Sequence, residues 1–394
     1  MTRTRVLLGE ALDLLIDHRG KTPKKLGGDW SSKGHRVVSA INIKDSRVDG
    51  NDHHYVADEL FNKWMKEPLR AGDVLLTSEA PTGEVAYLPE DTDWCLGQRL
   101  FGLRGKAGVL EGRYLYYLLR SGDVRNQLIA RSTGTTVSGI RQSELVKVEL
   151  DLPPVPEQRG IAATLGALDD KIESNRRVQN LVLDIAQAAY VEACSKGAEL
   201  TALKDVGRWL SGGTPSTTNS SYWGGTLPWV SAASLKTLYV RKSDRNLTLL
   251  GADAATNIVP AGTVVFVVRG MSLKSEFRFG LTQRDVAFGQ DCKAIIPRIC
   301  PAVLTIALRA STAAILELVD EAGHGTGRLA TDLLEQLPIE IPTDPAFAPV
   351  AQSLLARGAS AAEENDRLTA LRDTLLPELL SGRIRVPEAK DDVA

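Results

Sequence analysis

The sequence is poor in cysteine and has no long hydrophobic run. Four cysteines occur among 394 residues, and no two of them form a Cys-x-x-Cys pair. This scarcity argues against a disulfide framework and against a zinc site built from paired thiolates. No apolar run approaches the ~20 residues of a membrane-spanning helix, and no signal-like apolar stretch follows the first residues. We therefore expect a cytoplasmic protein.

Motifs of known catalytic sites are missing as well. The sequence has no Gly-x-Ser-x-Gly turn, no His-Glu-x-x-His motif and no Asn-Pro-Pro-aromatic or Asp-Pro-Pro-aromatic string of the methyltransferase kind. The Gly-Lys-Thr string at 20–22 lacks the glycine that a phosphate-binding loop requires five residues earlier, since position 15 is Leu. We therefore predict a non-catalytic chain that binds no metal and no cofactor.

The most informative pattern is an internal repeat. Gly-Lys-Thr-Pro at 20–23 returns as Gly-Gly-Thr-Pro at 212–215, and Val-Val-Ser-Ala at 37–40 returns as Trp-Val-Ser-Ala at 229–232. Gly-Gln at 97–98 returns at 289–290, and Leu-Asp-Leu-Pro at 150–153 returns as Ile-Glu-Ile-Pro at 339–342. A duplicated module in one chain indicates a pseudo-two-fold molecule that meets a partner at two sites.

Each repeat begins with a globule of mixed character. Short apolar runs at 74–76, 146–152 and 264–268 predict buried strands, and glycine and proline interrupt the sequence between such runs. Segments 112–130 and 301–319 are typical of short helices. Because strands do not alternate with regular long helices, we predict an α+β fold rather than a doubly wound sheet.

Each repeat ends in a long predicted helix. The 4-3-4 spacing of Ile161, Leu165, Leu168 and Ile172 is a coiled-coil seam, which we extend through Val178, Leu181 or Val182, and Ile185. The second helix offers Leu354, Leu368, Leu371 and Leu375 for the same purpose. Two such helices joined by a globule pack most simply as an antiparallel pair that separates the two globules.

Asn175 and Asn365 occupy matching places in the two predicted helices. A polar residue inside a seam weakens packing but fixes the register of the pair. The alternative is that both asparagines face solvent, because the heptad pattern is irregular around them.

These patterns predict five segments. The globules span 1–153 and 197–343, the helices span 154–196 and 344–386, and a tail covers 387–394. The net charge of −2 is unevenly distributed: residues 1–150 and 201–343 each carry two more basic than acidic side chains, an excess too small to establish DNA binding by itself.

The sequence resembles the specificity (S) subunit of type I restriction–modification systems along nearly its whole length. Pro-Pro-Val-Pro-Glu-Gln at 153–158, followed by Ile-Ala at 161–162, is similar to the start of the family's central helix. Residues 375–386 resemble the family's C-terminal signature, and residues 212–230 resemble the opening of its target-recognition domain. The second helix lacks the Pro-Pro-x-x-Glu-Gln start, and the first globule lacks the Tyr-Trp-Gly-Gly string found at 222–225.

The resemblance implies a division of labour. Each globule would read one half of an asymmetric bipartite site in double-stranded DNA, and the helices would set the spacer and dock two methyltransferase (M) subunits. Restriction/translocase (R) subunits would join this core, with S-adenosylmethionine, ATP and Mg on the partner subunits. Three other interpretations stay open: a coiled-coil protein-interaction scaffold that binds no DNA, an enzyme with an unrecognised site in one globule, and the specificity subunit of a related modification system without translocation.

Polar loops of the globules are the candidate DNA contacts. Arginine reads guanine through two hydrogen bonds, while lysine and hydroxyl side chains reach phosphates. For any single residue, the alternative is a solvated loop side chain. The candidates in the first globule are Lys21, Thr22, Lys24, Lys25, Arg131, Thr135, Thr136, Ser138 and Arg141. Those in the second globule are Thr214, Ser216, Thr217, Asn219, Arg269, Lys274, His324 and Arg328.

Overall fold

The structure is a computed structural model that describes residues 3–50, 54–134, 138–322 and 326–386. It consists of two compact units. Unit 1 comprises Met1–Asp170 and Leu368–Ala394, and unit 2 comprises Lys171–Arg367. Each unit therefore combines one globule with segments of both long helices.

Unit 1 has mixed secondary structure. Its strands are β1 (Thr4–Leu7), β2 (Leu12–Asp17), β3 (His35–Val38), β4 (Ile43–Lys44), β5 (Arg47–Val48), β6 (His54–Val56), β7 (Val74–Thr77), β8 (Val85–Tyr87), β9 (Cys95–Leu96), β10 (Leu100–Gly105) and β11 (Glu149–Leu152). Its helices are α1 (Leu8–Ala11), α2 (Asp58–Trp64), α3 (Gly112–Arg120), α4 (Gly122–Ala130), α5 (Gln142–Leu145) and the first part of α6 (Val155–Lys196).

An antiparallel sheet of order β2-β10-β7-β8 forms the centre of unit 1. All four residues of β7 are buried, which confirms the strand predicted at 74–76. Helix α3 packs on this sheet through buried aromatic side chains such as Tyr114 and Tyr117. The strand predicted at 146–152 is shorter than expected, because β11 begins only at Glu149.

Unit 2 contains the remaining elements. Its strands are β12 (Ala198–Ala202), β13 (Gly207–Ser211), β14 (Trp223–Val230), β15 (Tyr239–Val240), β16 (Asn246–Leu247), β17 (Ile258–Val259), β18 (Val264–Val267), β19 (Arg269–Gly270), β20 (Phe279–Thr282), β21 (Val286–Phe288), β22 (Cys292–Pro297), β23 (Val319–Ala322), β24 (Thr326–Leu329) and β25 (Pro338–Pro342). Its helices are α7 (Leu249–Ala255), α8 (Pro301–Ala310), α9 (Thr312–Glu317), α10 (Thr331–Gln336) and most of α11 (Phe347–Leu380).

The repeat in the sequence is also a repeat in topology. The sheet β13-β22-β18-β20-β15 of unit 2 follows the order of β2-β10-β7-β8 in unit 1, with one strand added at the edge. The predicted helical segments 112–130 and 301–319 each form two short helices, which meet at Ser121 and Ser311. Together these elements confirm the α+β class.

The two long helices are antiparallel within each unit. In unit 1, Ile161 and Leu165 near the start of α6 share a core with Leu379 and Leu380 at the end of α11. In unit 2, Ala186 and Tyr190 near the end of α6 share a core with residues at the start of α11, Phe347 and Ala351.

The buried face of α6 corrects the predicted seam. The seam runs through Ile161, Leu165, Leu168, Ile172 and Asn175, but its continuation is Val182, Ala186 and Ala193. The prediction of Ile185 was wrong. Ile185 is 46% exposed and Leu181 is 59% exposed. The buried residues of this part of the seam are small, and Ala186 is one of them. Leu181 and Ile185, which directly precede Val182 and Ala186 in the sequence, are larger and were therefore chosen in error or as an alternative.

The second helix needs a similar correction. Leu355 is buried, whereas the predicted Leu354 is only half buried. Leu371 is exposed and does not lie on the buried face of α11. Leu368 and Leu375 are half buried, and Leu375 packs against the core of unit 1.

The structure brings Asn175 and Asn365 together within unit 2. The Asn175 amide donates to Asn365 Oδ1 at 3.0 Å and to Glu364 Oε2 at 2.8 Å. The Asn365 amide donates to the carbonyl of Ile172 at 3.1 Å. Asn175 is buried, so these bonds replace water and fix the longitudinal register of α6 against α11 in unit 2.

Replacing Asn175 by leucine tests this register lock. We expect Asn175→Leu to lower the free energy of unfolding by about 1–3 kcal/mol, because Asn365 and Glu364 lose a buried donor. The double variant N175L/N365L should recover most of this loss, since both amides are then absent and Glu364, which is 40% exposed, can bond to water and to Lys171. Urea denaturation measures both. Asn180→Ala, at an exposed position of the same helix, is the control. A double variant no more stable than N175L would contradict the expectation.

Candidate nucleic-acid interface

Two predicted DNA contacts face each other in unit 2. Strands β19 and β24 pair antiparallel with Arg269 directly opposite Arg328. Both side chains are exposed, and neither forms a salt bridge within the described part of the chain. On its other side, Arg328 lies opposite Asp320 of β23. Like charges directly opposite one another destabilise a sheet. A bound anion would remove this repulsion.

The two arginines line a cleft of about 380 Å³. The residues of this arginine cleft are Ser211, Val268, Arg269, Gln290, Lys293, Arg328, Leu329 and Thr331. Strands β13 and β22 contribute Ser211 and Lys293, which face each other in the register of the sheet. The Lys293 ammonium donates to the Ser211 hydroxyl at 3.1 Å.

The charge of the arginine cleft is of one sign. Of the described residues that line it, three are cationic and none is acidic. Guanidinium and ammonium groups stay charged at neutral pH. Guanidinium groups match the two-oxygen geometry of phosphate and the acceptor edge of guanine, while Gln290 and the hydroxyls add neutral hydrogen-bonding groups. This is the chemistry of a site for phosphate or for a base edge.

Lys21 and Thr22 line a second cleft, in unit 1, of about 340 Å³. The residues of this tryptophan cleft are Lys21, Thr22, Pro23, Trp30, Val37, Ser39, Ala40, Ile41, His54, Trp64, Gly97, Gln98 and Arg99. The Lys21 ammonium donates to the carbonyl of Trp64 at 2.6 Å. This bond fixes the side chain against the cleft wall.

The other candidates of unit 1 are dispersed. Lys24 and Lys25 are exposed on a short 3₁₀ turn, where Lys25 Nζ donates to the carbonyl of Gly20 at 3.0 Å. Arg131 lies 3.8 Å from a carboxylate oxygen of Glu144. Ser138 and Arg141 are exposed. Thr135 and Thr136 lie outside the described residues.

In unit 2, some hydroxyl-rich candidates bond to one another. The Ser216 hydroxyl lies 2.9 Å from that of Thr218, and the side-chain oxygen Oδ1 of Asn219 accepts from the backbone N–H and the hydroxyl of Ser221. Asn219 thus caps a short turn. Thr217 and Lys274 are exposed, and Thr214 is half buried. His324 lies outside the described residues.

Sequence reasoning missed Lys293, Gln290 and Ser211. They are distant from Arg269 and Arg328 along the chain, and only the sheet register brings them together. One signal was present: Gln290 belongs to the repeated Gly-Gln pair, and its counterpart Gln98 lines the tryptophan cleft.

Burial changes the titration of several groups. It raises the pKa of the Cys95 and Cys292 thiols to about 12, so both stay protonated and unreactive at neutral pH. Burial, together with the charge of Lys21, lowers the pKa of His18 to about 4.

The lowered pKa of His18 predicts a loss of stability in mild acid. Between pH 6.5 and about 4 the unfolded chain binds a proton at His18 that the folded chain does not. The free energy of unfolding should therefore fall as the pH drops through this window. His18→Gln should reduce the decline, as judged by urea midpoints at several pH values. An identical pH dependence in the variant and the wild type would contradict the prediction.

Comparison with known proteins agrees with these observations. Residues 7–183 match the family model described as the type I restriction modification DNA specificity domain. The chain is 22% identical over 408 residues to the HindI specificity subunit of Haemophilus influenzae, a match that covers 81% of this chain and 88% of that protein. It is 24% identical over 355 residues to the MjaIX specificity subunit of Methanocaldococcus jannaschii, with 80% and 78% covered.

Among solved structures, the S subunit of a type I restriction–modification system from M. genitalium shares the fold. The TM-score is 0.57 at 16% identity, and the match covers 99% of this chain and 97% of that one. The matched domain and the relatives are all of the DNA-specificity class. Residues 7–183 thus match the DNA specificity domain of type I restriction–modification systems, and the chain is similar over about four fifths of its length to specificity subunits of such systems.

Among the described residues, no helix is both long and apolar enough to span a bilayer. No group of three or more His, Cys, Asp or Glu residues is placed to hold a metal ion in that part of the chain.

Proposed function

We propose that this chain is the non-catalytic sequence-specificity subunit of a type I restriction–modification complex, and that each globule reads one half of an asymmetric bipartite DNA site. The recognition domains would span 1–153 and 197–343, between spacer helices at 154–196 and 344–386. The arginine cleft is the observation that carries this proposal. Its three cationic side chains converge on one cleft whose described lining contains no acidic residue, and such a site suits a phosphate or the acceptor edge of guanine.

The arginine cleft also favours DNA binding over the alternative of a coiled-coil scaffold. Such a scaffold would require apolar helix faces, and it would not require a cationic cleft in one of its globules. DNA supplies both phosphates and guanine edges, which guanidinium groups bind through paired hydrogen bonds.

Exposed apolar residues on the long helices support docking of partner subunits. Leu181 and Ile185 lie one turn apart on α6 and are both exposed, and Val350 is exposed on α11. Apolar side chains of this kind suit a protein partner. In the proposed complex, two methyltransferase subunits dock on the helices and restriction/translocase subunits join them. Those partners would bind S-adenosylmethionine, ATP and Mg.

Exchanging one recognition domain tests the proposal. We expect that replacing residues 201–343 by the matching domain of another family member changes one half of the methylated motif and leaves the other half intact. Methylome sequencing of a host that carries the chimera and the cognate methyltransferase would measure this. The reciprocal exchange of the first domain is the control. A motif altered in both halves would contradict the assignment of one domain to each half-site.

A scaffold that binds no DNA predicts a different result. The purified chain should bind duplex DNA with an affinity that falls steeply between about 50 and 200 mM salt, because each phosphate contact releases counterions. Fluorescence anisotropy with a labelled duplex would show this dependence. Absence of binding at the lowest salt would favour the scaffold.

A further inference from the structure

The tryptophan cleft of unit 1 has an open aromatic wall. Trp30 is 50% exposed, and its ring centroid lies 4.9 Å from that of His54. Trp64 is buried, and its indole nitrogen donates to the carbonyl of Leu96 at 3.0 Å. A half-exposed indole at the rim of a cavity is a surface on which a planar ring can stack.

The matching strands of unit 2 hold a tryptophan side chain at the position that corresponds to the tryptophan cleft of unit 1. Strand β3 pairs in parallel with β9, with Val37 opposite Cys95, and β14 pairs in parallel with β21, with Trp229 opposite Ala287. Trp229 therefore stands where unit 1 has Val37.

The glycine at the matching turn confirms the correspondence. A Cβ atom on Gly97 would lie 3.0 Å from Val37 Cγ1, and one on Gly289 would lie 2.9 Å from Trp229 Cζ2. Each glycine thus faces the side chain of the matching position.

The indole of Trp229 is integrated into unit 2. Its nitrogen donates to the carbonyl of Gly213, the counterpart of Lys21, at 3.1 Å. Its ring packs edge-on against Trp223 at 5.3 Å, and the guanidinium of Arg245 lies 3.4 Å from the Trp223 ring centroid. The aromatic ring and the cation that occupy this place in unit 2 belong to the protein itself. In unit 1 the smaller Val37 leaves the space open.

The chemistry of the open cleft selects a particular kind of ligand. Lys21 and Arg99 supply positive charge, and Thr22, Ser39 and Gln98 supply hydrogen-bonding groups, while none of the described lining residues is acidic. Arg99 pairs at 3.0 Å with Glu79 in an exposed ion pair, which a phosphate could replace at little cost. A volume of about 340 Å³ lies at the low end of the roughly 300–1,000 Å³ of small-molecule sites.

We propose that the tryptophan cleft binds a single nucleotide, with the base stacked on Trp30 and the phosphate beside Lys21 and Arg99. The nucleotide is either one that the bound DNA extrudes from its stack or a free mononucleotide. The first source rests on the proposed function, whereas the second does not.

The test introduces into unit 1 the tryptophan that unit 2 has at the matching position. Val37→Trp should fill the cleft, as Trp229 does, on a scaffold that accepts the indole. Trp30→Ala removes the stacking surface at an exposed position and serves if V37W fails to fold. Full-length protein is titrated calorimetrically with each of the four deoxynucleoside 5′-monophosphates, and with deoxyribose 5-phosphate as the control without a base. We expect binding of at least one nucleotide, tighter than the control, and at least tenfold weaker in both variants.

A second arm examines DNA as the source of the nucleotide. Duplexes that carry the methylated motif receive a mismatch at each position in turn. A mismatch lowers the cost of extruding a base. The wild type should therefore bind one mismatched duplex at least tenfold more tightly than the matched duplex, and V37W should lose this gain.

The outcomes separate the two sources. Nucleotide binding that the variants weaken supports the free ligand, and a mismatch gain that V37W abolishes supports the extruded one. Equal nucleotide binding by wild type, V37W and W30A would overturn the proposal, as would the absence of both nucleotide binding and a mismatch gain. Failure of the wild type to bind any duplex would instead count against the proposed function, and the nucleotide titration would still test the cleft.

Discussion

Replacing Arg269 and Arg328 together by glutamine is expected to weaken binding of target DNA at least ~30-fold without loss of folding stability. Each arginine that contacts a base edge through two hydrogen bonds contributes about 1–3 kcal/mol, and two such losses multiply. The free energy of unfolding should change by only about a few tenths of a kcal/mol, because the like-charged Arg269–Arg328 pair and the opposite-charged Arg328–Asp320 pair disappear together. Fluorescence anisotropy and urea denaturation on the same preparations measure the two effects.

A neighbouring arginine provides the control. Arg298 is exposed just beyond the end of β22, about 16 Å along that strand from Lys293. Arg298→Gln removes one positive charge from unit 2, as each of the single variants R269Q and R328Q does, so it should change the affinity for DNA much less than either of them. If the two arginines contact phosphates rather than base edges, the double variant would lower the slope of log affinity against log salt by about 2. Equal effects of R298Q, R269Q and R328Q would show that only the net charge of the unit matters.

Replacing Asp169 by alanine is expected to cost unit 1 about 3 kcal/mol of stability. Asp169 accepts from the Tyr117 hydroxyl and from Arg372 Nη1, each at 2.7 Å, and lies 3.7 Å from Arg120. The side chains of Asp169 and both arginines are only 14–19% exposed. Without the carboxylate, two poorly hydrated cations would repel each other. Removing one partner of a buried ion pair costs about 3–5 kcal/mol, and partial exposure places this case at the low end.

The adjacent residue is a matched control for this second prediction. Asp170 also pairs with an arginine, Arg113, but its side chain is 67% exposed. Exposed ion pairs contribute roughly 0–1 kcal/mol, so Asp170→Ala should be far milder in urea denaturation. Equal decreases in the free energy of unfolding for D169A and D170A would mean that the low exposure of Asp169 between α3 and α11 does not strengthen its ion pairs.

Local patterns in the sequence predicted the large elements of the fold. Heptad spacing predicted the long helices, and apolar runs between glycines predicted β7 and β18. Prediction from spacing failed where side chains became small. Ala186 continues the seam of α6, yet an alanine gives a weaker signal than the neighbouring Ile185.

The clefts could be predicted only in part, because sheet register brings distant residues together. Arg269 and Arg328 were chosen separately from their loops, and no spacing along the chain indicates that they face each other or that Lys293 joins them. The aligned repeats did pair Val37 with Trp229. That this difference leaves a cavity in one unit and fills it in the other depends on packing, which the alignment does not contain.

Unit 1 is built from two separate segments of the chain, Met1–Asp170 and Leu368–Ala394, and this has a further consequence. Strand β1 pairs with β11, and a Cβ atom placed on Gly382 would lie 3.6 Å from the guanidinium of Arg3. A short peptide could therefore connect these two segments without crossing the unit. Circular permutation should then be tolerated: a chain opened after the end of α6 would begin with the second globule and still adopt the same fold.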